Sequence, residues 1–253
     1  MLWVLDLDGV LWLGGEAIPG SADAVGRLRD AGAAVAFVTN NSARTVPQYV
    51  EALGRAGVEA DAAEIVTSSQ AAASLLVAGS RAAYIGDEGV LEALQDRGVE
   101  VVAAGDRPDA VVVGRTLSLD FDAMSGAAAA VRTGARFVAT NTDATFPTPR
   151  GPEPGAGALV AFLEVASGRR AEPAGKPEQP MVDLVRERFG SPGVVVGDRP
   201  ETDGLFATRL EAPFALVLTG VTRAEDLPVT PEPDLVGADL AAVVAKRLDS
   251  GGP

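Results

Sequence analysis

Short apolar runs alternate along this chain with stretches of helical period, the pattern of an α/β fold built on a mostly parallel sheet. The run Leu2-Trp3-Val4-Leu5 opens a strand over 2–6, and 33–39 reads as a second. Helical spacing predicts helices over 21–30, 46–55 and 69–77. A second set begins near Arg81, with strands over 82–85, 99–103, 110–114 and 136–139 and helices over 88–97 and 121–131. The Pro- and Gly-rich stretch 146–157 reads as a connection, followed by a helix over 158–166. A third set holds a helix over 180–189, a strand over 193–197, a short helix after Glu201 and a strand over 214–219. A helix over 240–248 closes the pattern, and 250–253 reads as a frayed tail.

Small, polar and Pro residues between elements mark two joints, near 79–80 and 167–173. Cutting there gives a core from both ends of the chain, residues 1–79 and 172–253, and an inserted α/β unit, residues 80–171. An insertion of roughly 90 residues lies within the usual domain range.

Composition changes this picture by exclusion. The chain has no Cys and no His, which removes disulfides, thiolate nucleophiles, imidazole acid–base chemistry and His- or Cys-ligated zinc. Chemistry is left to carboxylates, hydroxyls, Lys, Arg and Tyr, and the metal such groups favour is a hard cation such as Mg²⁺. A net charge of −14 disfavours nucleic acid and anionic membrane surfaces as partners. The apolar N-terminus is interrupted by Asp6 and Asp8 and has neither a signal peptide's basic lead-in nor the length of a span, so a cytoplasmic location is expected. Lys176 and Lys246 are the only lysines among 21 cationic residues. Under so strong an Arg bias, a retained Lys points to a place where a planar guanidinium would not serve.

Four motifs then fall at predicted strand ends, where parallel sheets gather their chemistry. Asp6-Leu7-Asp8-Gly9 follows the first strand, and a break at Gly9 would let both carboxylates converge on one cation. Taken alone, it is equally a turn after a strand; Asp120-Phe121-Asp122 has the same spacing and reads as the capped start of a helix. Thr39-Asn40-Asn41-Ser42 ends the second strand with hydroxyls, amides and free N–H groups suited to phosphate or, equally, to helix capping. Gly175-Lys176-Pro177 precedes the third set, and Gly197-Asp198-Arg199-Pro200-Glu201-Thr202-Asp203 follows its buried strand. Gly105-Asp106-Arg107-Pro108 repeats the start of that last motif but reads as a connecting turn.

In this order the motifs resemble the haloacid dehalogenase (HAD) superfamily of phosphatases, and specifically its nitrophenylphosphatase/NagD-like branch with a type IIA cap. The resemblance rests on Asp6-Leu7-Asp8-Gly9-Val10-Leu11, Thr39-Asn40-Asn41-Ser42, Gly175-Lys176-Pro177, Gly197-Asp198 and Thr202-Asp203. Asn141-Thr142-Asp143, Thr145-Phe146-Pro147, Pro154-Gly155-Ala156-Gly157 and Val217-Leu218-Thr219-Gly220-Val221-Thr222 extend it to that branch, so it covers essentially the whole chain. Spacing agrees: 31 positions separate Asp8 from Thr39, too few for a domain, and 135 separate Asn41 from Lys176. Gly204 and Thr208-Arg209-Leu210-Glu211 depart from the family pattern, which bears on the end of the short helix and not on the chemistry.

The resemblance implies a HAD-like Rossmannoid core, a parallel sheet with helices on both faces, carrying an inserted α/β cap. It implies a Mg²⁺-dependent phosphomonoester hydrolase in which Asp6 forms an aspartyl-phosphate and Asp8 is the general acid and base. Asp6, the Asp8 carbonyl and Asp198 would hold the metal, with Asp203 orienting metal waters or Lys176 from an outer shell. Thr39, Asn40 and Lys176 would bind the phosphate, and Asn141 and Asp143 the leaving group. The expected partner is a small phosphorylated metabolite, such as nitrophenyl phosphate, phosphoglycolate or glycerol phosphate, and related caps join homodimers. The rivals are a phosphotransferase or mutase using the same intermediate, and a phospho-accepting signalling module.

Overall fold

The computed structural model describes residues 1–148 and 150–249; the tail expected over 250–253 lies outside them. Two parallel sheets organise the chain. The larger has six strands in the order Leu235–Gly237, Phe214–Val217, Val194–Gly197, Leu2–Leu5, Ala34–Thr39, Ile65–Thr67, every neighbouring pair parallel. The smaller has five, in the order Glu172–Pro173, Arg136–Ala139, Ala110–Val113, Arg81–Ile85, Glu100–Val101, again all parallel. The α/β class with helices on both faces of a parallel sheet is therefore the observed fold.

Continuous apolar runs such as Val194-Val195-Val196 make strands buried on both faces, which is why the larger sheet must be covered twice. On one face Trp3, Leu5 and Phe37 pack against Val25 and Leu28 of helix Ser21–Asp30, Tyr49 and Leu53 of helix Val46–Arg55, and Val243 of helix Leu240–Asp249. On the other, Val4, Val38 and Val195 pack with Ala72, Met181, Val185 and Phe206. That second cluster does not stop at the larger sheet. It continues through Leu76 to Val90, Leu94, Val112 and Val138 of the middle segment, so one apolar seam joins the two sheets.

Most predicted elements appear, and the helices over 21–30 and 46–55 appear with those bounds. Three differences matter. Strand Ile65–Thr67 was not anticipated, because three residues carry no period of their own. The stretch read as a connection over 146–157 instead contains an antiparallel hairpin, Thr145–Thr148 with Gly151–Pro154. Its prolines are tolerated because a two-stranded ribbon has two free edges. The helix after Glu201 begins with a wide turn, Pro200–Gly204, and ends at Leu210, with Glu211 in the left-handed region at φ 58°.

Candidate active site

The central position of strand Leu2–Leu5 brings three strand ends side by side: Asp6 after it, Thr39 and Asn40 on one neighbour, Asp198 on the other. After Asp6 the chain turns tightly, Leu7 C=O accepting from the N–H groups of Val10 and Leu11. Gly9 is required in that turn. Its φ is +87°, and a Cβ there would lie 2.5 Å from Asp198 Oδ2. The turn holds Asp8 beside Trp12, whose Nε1 donates to Asp8 Oδ1 at 3.0 Å.

Lys176 is buried at the centre. Its Nζ donates to Asp6 Oδ1 at 2.7 Å, to Asp203 Oδ1 at 2.7 Å and to Val38 C=O at 3.0 Å. Asp203 is fully engaged, since its Oδ2 also accepts from Arg199 N–H at 3.1 Å. Asp198 is not. Its Oδ2 accepts from Val221 N–H at 2.6 Å, while its Oδ1 is buried with no hydrogen-bond partner among the described residues.

Carboxylate oxygens of Asp6, Asp198 and Asp203 lie within 4.8 Å of one another. Three acids thus face one ammonium in a buried place, and the titration of Asp6 and Asp198 registers the surplus. Burial lifts the Asp6 carboxyl well above its ordinary value, Lys176 opposing and Asp203 and Asp198 adding. Asp198 is pushed up to about 7, first by burial and then by the charge of Asp203. Asp8 is raised by burial, against which the Trp12 hydrogen bond acts. Burial pulls Lys176 down, but the charges of Asp203 and Asp6 outweigh it and leave its value raised. An all-oxygen donor set with excess negative charge and one orphaned carboxylate oxygen fits a hard divalent cation.

The second strand end lines the same cleft with Thr39 and Asn40. Thr39 is buried, its Oγ1 accepting from Asn41 N–H at 3.1 Å. The Asn40 side chain is committed on both sides: Oδ1 accepts from Lys176 N–H at 2.7 Å, and Nδ2 donates to Lys176 C=O at 3.0 Å and to Asp143 Oδ2 at 3.1 Å. Asn141 Nδ2 donates to Asn40 C=O at 2.5 Å, and Asp143 N–H to Asn141 Oδ1 at 3.1 Å. Residues 101 and 103 positions away in sequence thus close over the Thr39 strand end. Asp143 is held above its ordinary value, by burial first. Gly157 and Gly155 let the chain pass close to this loop: a Cβ on either would come within 2.3 Å of the carbonyl of Thr142 or Asp143.

All of Asp6, Asp8, Thr39, Asn40, Asn141, Asp143 and Lys176 line one cleft, with Asp198 and Asp203 behind it. About 50 Å³ of it is free, the room of a few waters. The motifs did not disclose Arg115, which lines the same cleft. Its signal was available, an Arg directly after the apolar run Val111-Val112-Val113-Gly114 at a parallel strand's carboxyl end.

Residues 3–100 match the model of the haloacid dehalogenase-like hydrolase family, and residues 173–243 match a second, HAD-hydrolase-like model. D-glycerol 3-phosphate phosphatase of Mycobacterium tuberculosis is 36% identical over 250 residues, covering 95% of this chain and 70% of that protein. This chain is a haloacid dehalogenase-like hydrolase. Among solved structures, the hydrolase superposes on p-nitrophenyl phosphatase from Archaeoglobus fulgidus with a TM-score of 0.90 at 31% identity, covering 97% and 98% of the two chains. A glycerol phosphate phosphatase from Mycobacterium tuberculosis, solved in complex with magnesium, matches with a TM-score of 0.89 at 34% identity over 96% of this chain and 75% of that one. The hydrolase belongs to the NagD-like phosphatases of the family and is a phosphoric monoester hydrolase.

Proposed function

We propose that this hydrolase is a Mg²⁺-dependent phosphatase of small phosphometabolites with polar leaving groups, with Asp6 as nucleophile and Asp8 as general acid and base. The observation that carries the reading is Lys176, buried between Asp6 and Asp203 beside the unpartnered oxygen of Asp198. Asp6, Asp198 and the Asp8 carbonyl would hold the cation. Bound there, Mg²⁺ supplies positive charge that offsets the repulsion between an anionic nucleophile and an anionic phosphate. Asp203, both of whose oxygens are occupied by Lys176 and Arg199, serves to fix Lys176.

Asp6 attacks phosphorus, forming a P–O bond as the ester P–O bond breaks. Asp8 gives its proton to the departing oxygen, and its burial favours holding that proton beforehand. Asp8 then takes a proton from water, which attacks the aspartyl-phosphate, releases phosphate and restores the Asp6 carboxylate. Lys176 balances the charge on Asp6 throughout. The Asn40 side chain is spent on Lys176 and Asp143, which leaves its backbone N–H and the Thr39 hydroxyl for phosphate oxygens.

In this reading residues 1–79 and 172–253 form the catalytic core and 80–171 a cap whose loop at Asn141 and Asp143 contacts the leaving group, with the boundary moved past 172 because strand Glu172–Pro173 pairs with Arg136–Ala139 in the cap's own sheet. The cap also exposes Leu117, Leu119, Phe121 and Val165, with Phe121 edge-on to the exposed Phe162 at 6.3 Å, which supports a homodimer joined through the cap. The setting is cytoplasmic and the partner a small metabolite, with neither nucleic acid nor membrane engaged; among the described residues no helix is long and apolar enough to cross a membrane.

Phosphate release measured over a panel of phosphomonoesters tests the function. Many turnovers per chain, abolished in Asp6→Asn, are expected. Release of at most one phosphate per chain would turn the reading toward a phospho-accepting module, and transfer only to an added sugar toward a mutase.

A further inference from the structure

Arg115 is a cation that the cleft's catalytic chemistry does not use. It is 9% exposed, follows strand Ala110–Val113, and lines the cleft together with Asp6, Asp8 and Lys176. Its backbone is tied to the phosphate side of the cleft: Arg115 N–H donates to Ser42 Oγ at 2.9 Å, and Ser42 is fully buried. Gly114 permits that approach, since a Cβ there would lie 2.6 Å from Ser42 Oγ.

The guanidinium itself is placed but under-used. It stacks over the Phe146 ring at 4.2 Å, which fixes its plane and leaves its donor edge free for in-plane partners. One Nη2 donates to Glu153 Oε2 at 3.3 Å, long for a charge-assisted bond, and the buried Nε has no partner among the described residues. Glu153 does not neutralise it alone, because the same carboxylate is engaged by Arg150 at 2.9 Å. Two guanidinia therefore share one acid on the hairpin wall. Arg199, also lining the cleft, has no carboxylate within salt-bridge distance among the described residues.

We propose that Arg115 is a specificity-determining residue that reads a carboxylate on the leaving group of the phosphomonoester. The inference rests on the phosphatase reading above and names its substrate class. A planar fork with spare donors matches the two coplanar oxygens of a carboxylate. Rigid attachment through Ser42 sets the distance between the two anionic groups that one substrate presents.

The test compares three esters that share an O–CH₂ link and differ in the group beyond it, in one enzyme preparation: phosphoglycolate, ethyl phosphate and ethylene glycol bisphosphate. The wild type should favour phosphoglycolate over ethyl phosphate in kcat/KM by about 10- to 100-fold, the range of a charged hydrogen bond. Arg115→Met should collapse that ratio toward unity, chiefly through KM for phosphoglycolate, and Arg115→Lys should keep part of it. Because the ratio is taken within one preparation, loss of folded enzyme cancels. A wild-type ratio near one, a ratio undiminished in Arg115→Met, or preference for the bisphosphate would overturn the assignment. Nitrophenyl phosphate separates the two levels: if it is turned over in those cases, only the Arg115 inference fails, and if no ester is turned over, the phosphatase reading fails with it.

Discussion

The Lys176 ammonium lies 2.7 Å from Asp203 Oδ1 and 2.7 Å from Asp6 Oδ1, so one point charge is shared by a buried acid and one that faces the cleft. A guanidinium is larger, planar and forked, and cannot take the place of a tetrahedral donor that also reaches Val38 C=O. Lys176→Arg is therefore expected to lose nearly as much kcat as Lys176→Ala. Lys176→Met, which leaves the acids without their ammonium, should cost about 3–5 kcal/mol of stability in chelator. Steady-state kinetics and thermal melts decide this; near-normal kinetics in the Arg variant would make the Lys incidental.

Asp6 and Asp8 are separable by severity. Asp6→Asn removes the nucleophile and should abolish turnover while melting cooperatively. Asp8→Asn should slow the reaction by roughly 10²–10⁴-fold, the usual range for loss of general acid–base help. Full activity in purified, folded Asp6→Asn would end the proposed mechanism.

Chelation should abolish activity, Mg²⁺ should restore it, and Ca²⁺, with longer bonds and more ligands, should inhibit. Metal-free stability should also vary with pH. Asp198 is raised to about 7 from an ordinary 3.8, so the folded state holds this proton more tightly than the unfolded one. Its contribution is then fully present below pH 4, declines as pH rises and is gone above about 7. The gain in Tm on adding Mg²⁺ should accordingly grow between pH 5 and 7, and Asp198→Asn should lose that dependence. A Mg²⁺ gain that is flat with pH in the wild type would exclude Asp198 as its source.

Asp143 meets Asn40 from the other sheet's segment, at 3.1 Å. Asp143→Ala should reorder the preference among hydroxyl-bearing and apolar leaving groups more than it changes inhibition by inorganic phosphate. A uniform loss over all substrates, or none, would remove the loop from leaving-group selection.

What could be read from the residues followed from how local the signals were. The start of helix Val46–Arg55 is legible because Thr45 and Gln48 form a capping box and Pro47 sits in the first turn. Asp6, Thr39 and Asp198 were legible because buried runs end at them, and a parallel sheet gathers strand ends. The contacts of Asn40 with Asp143 and of Ser42 with Arg115 were not, since each joins residues more than 70 positions apart and no local period encodes such a meeting. The hairpin carrying Phe146 and Glu153 was hidden for the opposite reason: its prolines are strong local signals for a break, and the open edges of a two-stranded ribbon override them.

The apolar seam from Val38 and Ala72 through Leu76 to Val90 and Leu94 lies between the sheets, while the mouth is closed by the polar contacts of Asn40 with Asn141 and Asp143. Water can replace the polar contacts at little cost, but parting the seam would expose its apolar side chains. Opening the mouth thus costs less than parting the seam, so any separation of the two sheets is expected to begin at the mouth. The same seam couples the fates of the two sheets in denaturant. Neither can melt without wetting the other, so the chain should unfold as one cooperative unit despite its two sheets.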